Sequence, residues 1–203
     1  DISKADEENS DYNATFEALR EKYGNKIAPV VVPIWNEGKK VTGIIDVLNK
    51  RAYEMQNGKR VEIDIPEGKE AVITEFNDAL KESVAETSEE FMDKFFGGED
   101  FTYAEMIQGL RQGVRELSLF PVLCGSAVNT MGSLMLMDYI VDLLPNPMEG
   151  NYHKATRQDG ETEPFVVSPG GVPTAFVFKT VSDQYGKYSY IKVLSGVITS
   201  DLT

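Results

Sequence analysis

Two side chains in one loop, Cys124 and Ser126, are of the types that act as nucleophiles. A catalytic serine or cysteine needs a base, most often histidine, within hydrogen-bond reach. The chain has a single histidine, His153, in a Pro- and Gly-rich stretch, and it has no Gly-x-Ser-x-Gly elbow. One His and one Cys also cannot form the usual zinc ligand set. The sequence therefore argues against a nucleophilic hydrolase and predicts no metal site, and we expect Cys124 to be a small buried residue at a strand end.

The same loop, Cys124-Gly125-Ser126-Ala127, and the run Ser3-Lys4-Ala5-Asp6 resemble the two guanine-reading loops of P-loop GTPases. The resemblance implies that the Asp carboxylate accepts from the N1–H and exocyclic amine of guanine, while the Lys stem lies along the base. In the second loop it implies that the alanine N–H donates to guanine O6. Ser3 stands where the family has Asn, which ties the first loop to the phosphate loop, and a serine spans less distance. The candidate nucleotide-binding residues are Ser3, Lys4, Asp6, Ser126 and Ala127, and no catalytic residue is predicted.

No Gly-x-x-x-x-Gly-Lys-Ser/Thr run occurs in the 203 residues. Such a run supplies the backbone N–H groups and the Lys that hold a triphosphate. We therefore expect an inactive fragment of a GTPase, whose full-length parent binds GTP or GDP together with Mg²⁺, and no tightly bound nucleotide on this chain. Asp183-Gln184-Tyr185-Gly186 has the form of a second switch motif, but it lies far downstream between two predicted strands and is interpreted as a turn.

Further stretches resemble the elongation factor G family in order and spacing: residues 5–12, 43–47, 63–66, 120–127, 137–147, 176–179 and 190–196. The resemblance implies an α+β / α/β fold. Residues 1–148 would be the C-terminal part of a P-loop GTPase domain with an α+β subdomain inserted at about 35–117. Residues 149–171 would be a linker, and 172–203 the first strands of a β-barrel domain. The implied parent couples GTP hydrolysis to tRNA and mRNA movement on the ribosome, and Ser3 points to a divergent paralogue.

Two alternatives stay open on the sequence. One is a tetracycline-resistance-type ribosomal protection GTPase, although the long insert with Gly43-Ile44-Ile45-Asp46 favours the elongation factor. The other is a protein-binding module that acts through the insert. From Glu62 to Glu105 there are 14 acidic residues and three basic ones. This charge is typical of a solvated helical face, and equally of a surface that attracts a basic partner. The family resemblance implies the ribosome, with the stalk protein's C-terminal domain meeting the insert.

Composition limits the function classes further. A net charge of −13 and a pI near 4.6 argue against a surface made mainly to bind nucleic-acid phosphates; RNA contact is expected only in the full-length parent. The single cysteine fits a reducing compartment, and there is neither an apolar stretch of about 18 residues nor a signal-peptide pattern. We expect a cytoplasmic protein without membrane contact.

Periodicity predicts the elements that position these loops. Helices are predicted over 11–23, from Pro66 to about 86, over 88–96, over 102–117 and over about a dozen residues before Pro145. Within two of them, apolar stripes mark the predicted helical faces: Val72, Phe76, Ala79, Leu80 and Val84; Leu134, Met137, Ile140, Val141 and Leu144. Strand patterns cover 27–34, 41–47, 51–55, 59–65, 119–124, 174–181, 187–194 and 197–199, with Gln56-Asn57-Gly58 as a hairpin turn.

Overall fold

The computed structural model describes residues 4–5, 7, 9–36, 41–149, 154–156 and 158–200. This part of the chain is mixed α/β and falls into two compact units, residues 1–144 and 145–203. Its helices are α1 (Tyr12–Tyr23), α2 (Glu70–Ala85), α3 (Glu89–Phe96), α4 (Tyr103–Glu116) and α5 (Ser133–Leu143). Its strands are β1 (Ile27–Pro29), β2 (Val31–Trp35), β3 (Val41–Asp46), β4 (Arg51–Gln56), β5 (Lys59–Ile63), β6 (Phe120–Val122), β7 (Lys154–Thr156), β8 (Thr162–Pro164), β9 (Thr174–Asp183) and β10 (Gly186–Ser195).

The described strands of the first unit form two sheets. Strands β2, β3, β4 and β5 form an antiparallel sheet in that order, and β1 pairs in parallel with β6. The turn between β4 and β5 has positive φ at Asn57 and Gly58, 52° and 75°. These are the residues that a two-residue hairpin turn of this kind requires, so the predicted hairpin is confirmed.

The predicted strand over 27–34 is divided between the two sheets at Val30. The Val30 N–H donates to the carbonyl of Val122 at 2.9 Å, and the Val30 carbonyl accepts from the Val47 N–H at 3.0 Å. Proline has no N–H to give to a ladder, and Pro29 and Pro33 flank this crossing point. The chain therefore passes from the parallel pair to the edge of the antiparallel sheet without leaving a buried polar group of Val30 unpaired.

Local capping interactions set the starts of three helices. The Asp11 side chain accepts from Ala14 N at 3.0 Å and begins α1, which ends at Gly24 with φ 69°. Ser88 caps α3 through Phe91 N at 3.2 Å. At α4, the Thr102 and Glu105 side chains bond to each other's backbone N–H, a capping box. These caps satisfy N–H groups that have no partner inside the helix.

Helix α4 packs closely on α2 and α3 because Gly109 has no side chain. A Cβ at Gly109 would lie 2.5 Å from Cγ1 of Val84 and 3.1 Å from Cε2 of Phe91. Glycine inside a helix is unfavourable for helix formation when only the local sequence is considered. The structure explains Gly109 as a point of close contact between helices.

The predicted start of α2 is wrong, whereas its predicted apolar face is confirmed except at Val72. A turn at Gly68, with φ 78°, precedes the helix, which begins at Glu70 and not at Pro66. The buried row runs through Ile73, Asn77, Leu80 and Val84, while Val72 is exposed. Asn77 can lie in this row because its amide donates to the carbonyl of Val47 at 3.0 Å.

Helix α5 forms as predicted, but it is rotated relative to the predicted stripe. Met135, Tyr139 and Leu143 are buried, whereas the residues that marked the stripe are exposed: Leu134, Met137, Ile140, Val141 and Leu144. A hydrogen bond from the Tyr139 hydroxyl to buried Asp46 accompanies this orientation. Both faces of α5 are largely apolar, so periodicity alone selects neither.

The described residues of the second unit form two hairpins. Strands β9 and β10 pair over ten residues each, and Asp183 accepts from the N–H groups of Tyr185 and Gly186 at their turn. The stretch predicted as a linker carries the short β7–β8 ladder. The strand predicted over 197–199 is absent from this described stretch; a strand needs a hydrogen-bonded neighbour, and these residues have none in the described ladders. The assignment of 1–148, 149–171 and 172–203 to named domains stays a prediction.

Among the described residues no helix has the length and apolarity to cross a bilayer.

Candidate functional site

The two candidate loops lie side by side. The backbone N–H of Ala5 donates to the carbonyl of Gly125 at 3.0 Å, and Ala5 is buried. The Ser10 hydroxyl donates to the carbonyl of Ala5 at 2.8 Å, and Glu7 N donates to Lys4 O at 3.1 Å, which closes a turn. Lys4 itself is exposed, with φ 67°. Two motifs far apart in sequence therefore meet at one surface.

The second loop follows β6 and folds back on itself. Ser126 N donates to Met131 O at 2.9 Å, and the Ser126 hydroxyl accepts from Asn129 N at 3.2 Å. Ser126 is only 1% exposed, so its side chain holds the loop from within. Ala127 is exposed, and its carbonyl accepts from Thr130 N at 3.4 Å. Of the two predicted residues, Ala127 is therefore the exposed one and Ser126 the buried one.

Glycine is required at both ends of this loop. A Cβ at Gly125 would lie 2.6 Å from Met131 O, and one at Gly132, where φ is 78°, would lie 2.6 Å from Cys124 O. Backbone approaches this close exclude any side chain. The loop is therefore a rigid turn whose last glycine leads directly into α5.

Ser3 and Asp6 lie outside the described residues, so their predicted roles stay predictions. Lys4, Ser126 and Ala127 are the candidate residues that the structure describes, and the Ala5–Gly125 bond joins their loops. A cavity of about 590 Å³ lies beside the first loop and is lined by Lys4, Tyr12 and Trp35 among others. Its lining includes no residue of 125–127. This cavity is therefore not where both loops would contact one base.

Cys124 does not have the environment of a reactive thiol. It is buried, and burial raises its pKa well above the ordinary value of 9.0. A thiol that stays protonated is a weak nucleophile. The prediction that Cys124 is a small buried residue is confirmed.

Among the described residues, no group of three or more His, Cys, Asp or Glu is arranged to hold a metal ion.

A buried polar cluster, which sequence reasoning missed, connects α5 to the sheet of β2–β5. Asp46 is 5% exposed and accepts from the Tyr139 hydroxyl at 2.7 Å, from Asn49 N at 3.0 Å and from Asn49 Nδ2 at 2.7 Å. Nearby, Arg60 pairs with Asp138 at 2.7 Å. Because α5 starts at the end of the second loop, these contacts also position that loop. The only sequence signal for this cluster is Asp46, an acidic residue within the apolar run 43–47.

The acidic insert presents its charge unevenly. Glu75 and Asp78 are exposed on α2. Glu82 is half-buried and pairs with Arg20 at 3.3 Å, so its charge is partly neutralised within the chain. Two of the three basic residues of 62–105 are also paired: Lys81 with Asp100 at 2.6 Å and Lys94 with Glu105 at 2.6 Å. The Lys94 ammonium and the Thr102 N–H and hydroxyl lower the pKa of Glu105 to about 2.

Comparison with known proteins identifies the class. No family model matches the chain. It is 34% identical over 209 aligned positions to an elongation factor G-like protein of Thermotoga maritima, covering 97% of this chain and 28% of that protein. A crystal structure of a Thermus thermophilus protein matches with a TM-score of 0.75 and 30% identity, covering 96% of this chain and 27% of that one.

These similarities place the chain among the translation GTPases. Within that class it belongs to the elongation factor G family. The chain spans just over a quarter of the length of the curated relative that it matches. Binding of nucleotide, ribosome and partner proteins is therefore a proposal about the whole protein.

Proposed function

We propose that this chain contributes the guanine-reading loops and a partner-docking insert to an elongation factor G-like GTPase. The whole protein would couple GTP hydrolysis to the movement of tRNA and mRNA on the ribosome. The observation that carries the proposal is the 3.0 Å hydrogen bond from Ala5 N to Gly125 O. It brings the two loops together, so both can contact one planar base. Membership of the family supports the same conclusion.

Each loop residue has a role that follows from guanine chemistry. The Asp6 carboxylate accepts from the N1–H and exocyclic amine, a pair of donors that adenine lacks on that edge. The Lys4 stem covers the base, and the Ala127 N–H donates to O6. Ser126 acts inside the loop, where its buried hydroxyl accepts from Asn129 N and holds Ala127 at the surface. Ser3 replaces the Asn that ties this loop to the phosphate loop, and its shorter reach makes that tie weaker.

The bound nucleotide would supply the phosphoryl group that is hydrolysed, with Mg²⁺ neutralising its oxygens. The chain contains no Gly-x-x-x-x-Gly-Lys-Ser/Thr run, so the phosphate contacts belong to other parts of the whole protein. To nucleotide binding, this chain would contribute the selection of the base. We therefore propose that GTP or GDP with Mg²⁺ binds the whole protein tightly and this chain only weakly.

The insert is proposed to dock a basic partner on the ribosome, with the stalk protein's C-terminal domain as the candidate. Exposed Glu75 and Asp78 on α2 support this, and so does the pairing of Lys81 and Lys94 with acids of the insert. Residues 62–105 keep a large excess of negative charge, because 14 acidic residues stand against three basic ones. A surface of one sign speeds the encounter with a partner of the opposite sign.

The experiment that tests the proposed function uses the full-length protein. Its GTP hydrolysis is measured alone, with ribosomes, and with ribosomes stripped of stalk protein. We expect ribosomes to accelerate hydrolysis and stripping to remove much of the acceleration. Hydrolysis of ATP at the same rate, or no response to ribosomes, would contradict the proposal.

A further inference from the structure

Phe96, the last residue of α3, places its ring in solvent. It is 79% exposed, and its ring centroid lies 5.9 Å from that of Phe95 in an edge arrangement. The opposite face of α3 is held in place by Phe91, which is buried and packs edge-on against Phe101 at 5.6 Å. Packing of Phe91 on Phe101 therefore orients the helix so that Phe96 projects away from the core.

The end of α3 is also rigid. Glu99 N donates to Lys94 O at 3.2 Å, and Gly98 N donates to Phe95 O at 3.1 Å. With Gly98 at φ 74°, these two bonds form the Schellman ending of a helix. An aromatic ring on an ordered backbone loses little conformational entropy when a partner covers it. Phe96 is in this sense organised for binding before a partner arrives.

Carboxylates share this face. Glu89 and Asp93 lie seven and three residues before Phe96, the spacings that place side chains on one side of a helix. Both are exposed, and among the described residues neither forms an ion pair within 4 Å. The only basic residue of 88–101 is Lys94, which Glu105 already pairs at 2.6 Å. An exposed ring thus lies beside unpaired negative charge.

We propose that the α3 face, formed by Glu89, Asp93 and Phe96, docks a partner protein that presents an apolar pocket bordered by Lys or Arg side chains. Phe96 enters the pocket, and Glu89 and Asp93 meet the basic border. Charge complementarity selects this occupant, because an apolar pocket with an acidic border would be repelled. The proposal rests on the proposed docking of a basic partner by the insert, and it adds a residue that holds the complex together after encounter.

The acidic residues of α2 and the aromatic ring of α3 should affect different rate constants of binding. Glu75 and Asp78 on α2 act at a distance and set the association rate, which salt screens within about 10 Å at 0.1 M. A buried aromatic anchor acts only in the complex and sets the dissociation rate. The two contributions can therefore be separated in one binding experiment.

The experiment measures binding of this chain to isolated stalk protein and to ribosomes by stopped flow, comparing wild type with Phe96→Ala and Phe96→Leu. We expect Phe96→Ala to raise the dissociation rate about tenfold and to change the association rate less than about twofold. Phe96→Leu, which keeps an apolar side chain, should stay within about threefold of wild type. The matched control is Tyr185→Ala, since Tyr185 is 80% exposed and lies on the β9–β10 turn; it should dissociate like wild type.

A wild-type dissociation rate for Phe96→Ala overturns the α3 proposal and leaves the α2 docking intact. Absence of saturable binding by the wild-type chain to either probe overturns both. Sedimentation of the chain alone tests a second copy as the occupant: a dimer that Phe96→Ala dissociates would overturn the assignment to a basic partner. Circular dichroism of each variant confirms that α3 is retained, which is expected because the Phe96 ring lies mostly in solvent.

Discussion

The hydroxyl of Tyr139 on α5 donates a 2.7 Å hydrogen bond to the carboxylate of Asp46 at the end of β3, and both side chains are buried. The bond connects the helix that follows the Gly125–Ala127 loop to the antiparallel sheet. A buried carboxylate that loses a donor keeps the cost of its desolvation. This pair therefore bears on the stability of the first unit and on the position of the loop.

Replacing Tyr139 with Phe should destabilise the first unit by about 1–3 kcal/mol, because Asp46 then keeps only its bonds from Asn49. Urea unfolding followed by circular dichroism measures the loss. Tyr23→Phe is the control, since Tyr23 is half exposed on α1 and should behave like wild type. Equal unfolding midpoints for the two variants would mean that the Tyr139–Asp46 bond contributes nothing.

Stability should fall at alkaline pH. Burial raises the pKa of Cys124, and burial followed by the Asp46 charge raises that of Tyr139, each well above the ordinary values of 9.0 and 10.0. Below pH 9 both groups are protonated in the folded and unfolded states, so their contribution is constant. Above its ordinary pKa each group loses its proton first in the unfolded state, and the folded state is then destabilised by about 1.4 kcal/mol per pH unit for that group.

Urea titrations between pH 7 and 11 test this, with Cys124→Ala as the informative variant. Removing the thiol should flatten the decline that begins near pH 9 and leave the part that begins near pH 10. A decline of the same slope in the variant would assign the effect to other groups.

In the full-length protein, Asp6→Asn should weaken GDP binding and shift preference towards xanthine nucleotides. An amide can donate to the carbonyl that replaces the amine of guanine in xanthine, whereas a carboxylate cannot. Competition binding of GDP and XDP measures the shift. The control is Glu7→Gln, which neutralises an exposed acid next to Asp6. This variant should bind GDP like wild type. Unchanged GDP affinity in Asp6→Asn would show that the motif is assigned to the wrong residues.

Reversing Glu75 and Asp78 to Lys should slow association with stalk protein several-fold and flatten its dependence on salt. Glu82 is left unchanged, because its pairing with Arg20 would confound folding with docking. The control reverses Glu17 and Glu21, two exposed acids of α1, and changes the net charge by the same amount. Stopped-flow association that slows equally in both double variants would assign the effect to overall charge and not to α2.

By itself the sequence determined the features that depend on a few neighbouring residues. The caps at Asp11, Ser88 and Thr102, the turn at Asn57-Gly58 and the family resemblance of the two loops could all be recognised from local residue types. Capping and turn formation involve hydrogen bonds within about four residues, so the information lies in the local sequence. The order of the matching stretches supplied the rest of the identification.

Tertiary structure alone decided which faces are buried and which charges are paired. The orientation of α5 with Tyr139 inwards, the crossing of Val30 between two sheets and the pairing of Glu82 with Arg20 each depend on an element distant in sequence. Both faces of α5 are apolar, so its burial is set by the partner it meets, and here that partner includes a buried carboxylate. The juxtaposition of Ala5 and Gly125 has the same origin, because it exists only once β6 has paired with β1 and the chain between the two loops has folded.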